Sequence, residues 1–74
     1  MISTEELTRR LASNIRRYRK VKKITQVVLA AKADTDERYI QSIEAGDRVP
    51  GVIIAYRIAQ ALEISVDTLF EESE

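Results

Sequence analysis

Apolar residues recur along this chain at helical spacing, and no run alternates with a period of two. Leu7, Leu11, Ile15 and Tyr18 form one stripe, which predicts a first helix from Thr4 or Glu5 to about Lys22. Ser3 followed by Glu6 has the spacing of a capping box at its start. A second helix is predicted over about 26–33, with Thr25 as its N-cap and Leu29, Ala30 and Ala33 on its buried side. A third is predicted over about 37–45. Asp36 caps it, Ile40 and Ile43 point inward, and Gly46 stops it. The only strong break follows, with Gly46, Pro50 and Gly51 in one short window. Beyond it, Val52, Ala55, Ile58, Ala59 and Leu62 predict a fourth helix. Ser65 predicts a short fifth helix with Val66 and Leu69 inward and Phe70 closing the core, and Glu71 to Glu74 are expected to fray. The expected fold class is all-α, and 74 residues predict a single domain, 1–74.

Two short helices joined by a tight turn, over 25–45, form a helix-turn-helix, a device that lays its second helix into the major groove of DNA. Charge bears on this reading through its distribution. The formal net charge is zero, which alone argues against a nucleic-acid binder. Yet residues 1–25 carry eight Arg or Lys against Glu5 and Glu6, while 51–74 carry Arg57 against five acids. The absence of Cys and His removes thiol and imidazole chemistry and most zinc sites. With no glycine-rich phosphate loop and no metal-ligand spacing, neither an enzyme nor a cofactor is expected. No apolar run approaches the roughly 20 residues of a membrane span. The first residues lack a signal-peptide pattern, so a cytoplasmic, nucleoid-associated location is expected.

Matches at fixed spacing extend well beyond the two central helices. They include Ile15, Tyr18-Arg19, Ile24-Thr25-Gln26, Leu29-Ala30, Tyr39-Ile40, Ile43-Glu44, Gly46, Pro50, Ile58-Ala59, Leu62, Ile64-Ser65, Asp67 and Leu69-Phe70. On these the chain resembles the Cro/phage-repressor family of helix-turn-helix proteins, including the small controller proteins of restriction–modification systems. The resemblance implies a compact five-helix, lambda-repressor-like domain with helices 2 and 3 as the DNA-reading unit. It implies a largely buried ion pair between Arg19 and Glu44. It gives Gln26 either a phosphate contact or a bracing role toward the recognition helix. Several positions depart from that pattern. Lys23 and Asp34 occupy positions where the family usually has glycine, and Thr35 replaces an aliphatic residue. Val27 and Val28 replace polar residues, so one of them is expected to be exposed.

The outward positions of helix 3 are expected to be Glu37, Arg38, Gln41 and Ser42. Arg38 can span guanine O6 and N7, Gln41 can reach adenine or a phosphate, and Glu37 can accept from cytosine N4. Glu37 equally suits the positive end of the helix dipole. Ser42 can reach a base or a phosphate. Backbone contacts are expected from Gln26, Thr25 at the start of helix 2, Arg48 just past helix 3, and Arg17 and Lys22 from the basic cluster. A reader this small needs two copies on a pseudo-palindrome. The dimer face is expected in 51–70: Ile53 and Ile54 are consecutive, so both cannot be buried, and Val66, Leu69 and Phe70 lie near. The partners expected are therefore double-stranded DNA and a second copy, with no membrane and no small-molecule substrate. The alternative is an antirepressor or complex subunit on the same fold with little DNA affinity, which the acids Asp34, Asp36 and Glu37 favour.

Overall fold

Four of the five helices begin where a short polar side chain closes the first turn. In the computed structural model, which describes residues 1–72, Ser3 Oγ accepts the Glu6 N–H at 3.1 Å and opens α1, Thr4–Val21. Thr25 Oγ1 accepts the Val28 N–H at 3.1 Å and opens α2, Gln26–Lys32. Asp36 Oδ1 accepts the Tyr39 N–H at 2.8 Å and opens α3, Glu37–Glu44. Ser65 Oγ accepts the Thr68 N–H at 3.2 Å and opens α5, Val66–Leu69. The helix between them, α4, Val52–Leu62, starts from Gly51 without a side-chain cap. Ser73 and Glu74, two of the residues expected to fray, lie outside the described residues.

The first four helices end alike. A residue in the left-handed region follows each, at Lys23, Asp34 and Glu63 with φ of 60° and at Gly46 with φ of 81°. The next N–H then bonds five residues back: Ile24 to Arg19 O at 3.2 Å, Thr35 to Ala30 O at 2.9 Å, Asp47 to Ser42 O at 2.9 Å and Ile64 to Ala59 O at 3.0 Å. This is the Schellman closure, for which glycine is the unstrained residue. Lys23 accepts the positive φ that its position demands. Replacing Lys23 by Gly is expected to raise stability by about 0.5–1 kcal/mol, net of the freedom glycine gains in the unfolded chain. A thermal midpoint that stays level or falls would show that the Lys23 backbone carries no strain.

The core draws on every helix. Leu11, Ile15, Leu29, Ile40, Ile43, Ile58, Leu62 and Leu69 are each at most 1% exposed. α2 packs on α3 and α4, while α1 lies across α3, α4 and α5. Three expectations are corrected. Leu69 is completely buried in its own domain, so it has no surface to offer a partner. Val66, expected inward, is exposed on the first turn of α5. Both Val27 and Val28 are exposed, because Leu29 and Ala30 already fill the inward arc of so short a helix.

Buried Asn14, which the apolar pattern does not single out, ties the two ends of the chain together. Its Nδ2 donates to Glu71 O at 2.8 Å and Leu69 O at 2.9 Å, with Thr68 O at 3.3 Å. Arg10 Nη1 adds a bond to Phe70 O at 3.3 Å. Together they satisfy the carbonyls at the end of α5, which a four-residue helix cannot satisfy internally.

Candidate nucleic-acid interface

Helix α3 is held by its buried edge. Glu44, only 4% exposed, accepts from Arg19 Nε at 2.7 Å, Arg19 Nη2 at 3.0 Å and Gln26 Nε2 at 3.1 Å. The hydrogen bond to Glu44 holds the Arg19 guanidinium above its ordinary pKa, more than offsetting its burial. Arg19 Nη1 also donates to Ile24 O at 3.0 Å, fixing the turn that leads into α2. Arg16, three residues before Arg19 on α1, donates through Nη1 to Glu44 O. α3 has no basic residue in its own last turn, so Arg16 supplies the cation that complements the negative end of its dipole. Gln26 takes the bracing role of its two expected roles.

The opposite face of α3 is polar and open. Glu37, Arg38 and Gln41 are exposed, and their side chains make no hydrogen bond or ion pair with any described residue. Ser42 is half-buried and its hydroxyl donates to Arg38 O at 3.0 Å, which leaves the oxygen as an acceptor. At 100° per residue, Arg38, Ser42 and Ala45 form the centre of the outward arc, with Gln41 beside it and Glu37 at the edge nearest Glu44.

Beyond Ser42 stand Tyr39 and Arg48. The Arg48 guanidinium lies over the Tyr39 ring, 5.1 Å from its centroid. Asp36, Arg38, Tyr39, Ser42 and Arg48 line a shallow cleft of about 160 Å³. The other two expected backbone cations turn elsewhere. Arg17 lies over the Tyr18 ring at 4.8 Å and reaches Asn14 Oδ1 at 3.4 Å. Lys22 pairs with Glu63 at the end of α4. Sequence reasoning therefore missed Arg16 as a support of α3 and Tyr39 as a neighbour of this surface. Tyr39 had a signal, since a half-buried aromatic two residues after the helix start borders the outward arc. Arg16 had none that separates it from Arg17.

Away from α3, the outer face of α4 is apolar. Val52, Ile53 and Tyr56 are 83%, 61% and 54% exposed and share one arc. Ile54 turns the other way and packs on the core, as does half-buried Phe70.

Residues 15–69, most of the chain, match the model of the family described as Helix-turn-helix, HTH_3. The chain belongs to that helix-turn-helix family. It is thus a DNA-binding transcription regulator of the Cro/C1 type, as the resemblance implied. It is 37% identical over 60 residues to the uncharacterized HTH-type transcriptional regulator y4dJ of Sinorhizobium fredii, covering 81% of this chain and 78% of that protein. Among solved structures it is similar to the restriction-modification controller protein C.AhdI from Aeromonas hydrophila. That match has a TM-score of 0.81 at 27% identity over 85% of this chain and 96% of that one. It is also similar to the hypothetical transcription factor NHTF from Neisseria, with a TM-score of 0.84 at 25% identity over 96% and 83% of the two chains. The all-α, five-helix architecture inferred from the apolar pattern is the architecture of this family. No helix among the described residues is long and apolar enough to cross a membrane.

Proposed function

We propose that the protein binds a pseudo-palindromic operator as a homodimer and controls transcription by occupying a promoter, a role in keeping with its similarity to the controller protein C.AhdI. The observation that carries this reading is a recognition helix locked on one edge by Arg19, Gln26 and Arg16 while Arg38 and Gln41 stand free on the other. A rigid helix with unengaged polar side chains loses little entropy when it enters a groove. In this reading Arg38 and Gln41 contact bases, with Ser42 accepting and Glu37 at the edge. Thr25 and Arg48 lie against the backbone, while Gln26 and Arg16 brace the recognition helix from its locked edge. Ile53, with Val52 and Tyr56, forms the centre of the dimer face, Val66 and Phe70 flank it, and Ile54 supports it from the core side. The protein acts in the cytoplasm, where its DNA is.

Selection from a random duplex pool with purified protein tests the reading. A palindromic winner with a steep salt dependence of binding is expected. No enriched sequence would leave the protein-interaction alternative, which the acids Asp34, Asp36 and Glu37 favour, as the better account. Arg38→Ala is expected to relax preference at one position of each half-site, by about 1–3 kcal/mol, with the fold intact. Full preference retained by that variant would remove Arg38 from the readout.

A further inference from the structure

The cleft beside α3 combines features that a solvated surface arginine lacks. Arg48 sits in the irregular segment between α3 and α4, where no helix restrains it. An unrestrained arginine samples many rotamers and is a poor clamp, because binding must order it. Here its guanidinium is laid over the Tyr39 ring at 5.1 Å. The ring is itself fixed: it packs against the core, and its backbone N–H is held by Asp36 at 2.8 Å. A guanidinium over an aromatic face keeps its N–H donors available, and those of Arg48 engage no described residue. Arg38 and Ser42 line the same cleft, the Ser42 hydroxyl proton being donated to Arg38 O. One carboxylate, Asp36, also lines it, with Oδ1 engaged as the helix cap, so two cations face one anion.

We propose that this cleft is a pre-formed seat for a single DNA backbone phosphodiester, and that Tyr39 is the positioning residue that holds Arg48 ready for it. Arg48 donates from the guanidinium edge to the phosphate oxygens. Tyr39 acts through its ring and not through its hydroxyl. Arg38, whose side chain borders both the cleft and the outward arc, is the link between this phosphate and the base it reads. The seat fixes the register of α3 along the groove, which gives an atypically acidic reader a defined position. This inference rests on the DNA-binding function proposed above and adds a residue role to it.

The test is a binding cycle on a duplex selected by the unmodified protein, titrated against salt. Failure of that protein to bind with a salt dependence would overturn the DNA-binding reading itself, before the variants are considered. Given binding, Arg48→Ala is expected to weaken affinity about fivefold per protomer near 0.15 M salt and to lower the salt slope by about 0.9 for each phosphate lost. Tyr39→Phe keeps the ring and is expected to bind like the unmodified protein. Tyr39→Leu is expected to weaken binding about two- to fivefold, and to have no further effect when Arg48 is already Ala. Arg48 is exposed, so Arg48→Lys is safe for folding. It keeps the charge and the salt slope but loses the stacked planar fork, so weaker binding at unchanged slope is expected. Unchanged affinity in Arg48→Lys overturns the seat. Equal losses in Tyr39→Phe and Tyr39→Leu overturn the positioning role and assign the contact to the phenol hydroxyl. Additive effects in the Tyr39→Leu, Arg48→Ala pair overturn the coupling between the two residues.

Discussion

Replacing Glu44 by Ala is expected to lower the stability of the domain by about 3–5 kcal/mol. The side chain is 4% exposed and receives three hydrogen bonds, two from Arg19 and one from Gln26. Its removal leaves the Arg19 guanidinium, itself 14% exposed, without the only carboxylate it pairs with among the described residues. Stranding a charge is the expensive event; the intact pair contributes little net stability once desolvation is counted. A domain of this size has roughly 4–11 kcal/mol in total, so the loss is a large fraction of the whole. Change of pH does not rescue it, because the guanidinium stays charged at any workable pH. Urea denaturation followed by circular dichroism measures the loss. Replacing both Arg19 and Glu44 by Met is expected to recover most of it, since no charge is then left buried. A single-variant loss below about 1 kcal/mol would mean that water reaches Arg19 and that the pair does not lock α3.

The second large effect is expected at the far end of α1. Asn14→Asp changes no volume, yet it turns a donor into an acceptor facing the carbonyls of Leu69 and Glu71. The expected loss near neutral pH is about 3 kcal/mol: two or three buried carbonyls lose their donor, and a carboxylate is desolvated among them. Arg17, 3.4 Å from the Asn14 oxygen, offsets part of this. Desolvation and the facing carbonyls both raise the folded-state pKa of the new carboxyl above its unfolded value. The folded state then binds the extra proton, so the loss is complete above the folded pKa and shrinks as pH falls through it toward about 4. Urea midpoints of the variant relative to the unmodified protein at pH 8 and pH 4.5 read this directly. A pH-independent difference would show that the site is wetter than its burial indicates.

Both residues show where legibility ends. The helix starts at Ser3, Thr25, Asp36 and Ser65 are readable because each cap bonds an N–H three residues ahead. The inward faces are readable for the same reason: 3.6 residues per turn places Leu11 with Ile15, and Ile40 with Ile43, whatever the rest of the chain does. The Schellman ends are half readable. Gly46 announces itself, and Lys23 and Asp34 stand out only against the family pattern. Glu63 carries no local signal for the left-handed region it occupies. Asn14, whose partners lie 54 to 57 residues away, looks like an ordinary polar residue on a basic helix. Arg19 and Glu44 were paired through resemblance, since 25 residues of chain between them say nothing about distance.

The candidate surface divides in the same way. That Arg38 and Gln41 face outward follows from the apolar spacing of α3 alone. Which arginine of α1 supports that helix does not. Arg16, Arg17 and Arg19 are near neighbours on one helix, and only the packing of α1 across α3 sends Arg16 and Arg19 to Glu44 while Arg17 turns to Tyr18. Likewise two consecutive isoleucines guarantee one exposed side chain, but the docking of α4 decides that it is Ile53. By itself the sequence determined the five helices, their caps and their apolar faces, because those depend on bonds and periodicities spanning a few residues. The tertiary structure alone decided the grip on α3, the clamp on α5 and the stacking of Arg48 on Tyr39. Those depend on where long side chains end, and that is set by the distances and angles between helices.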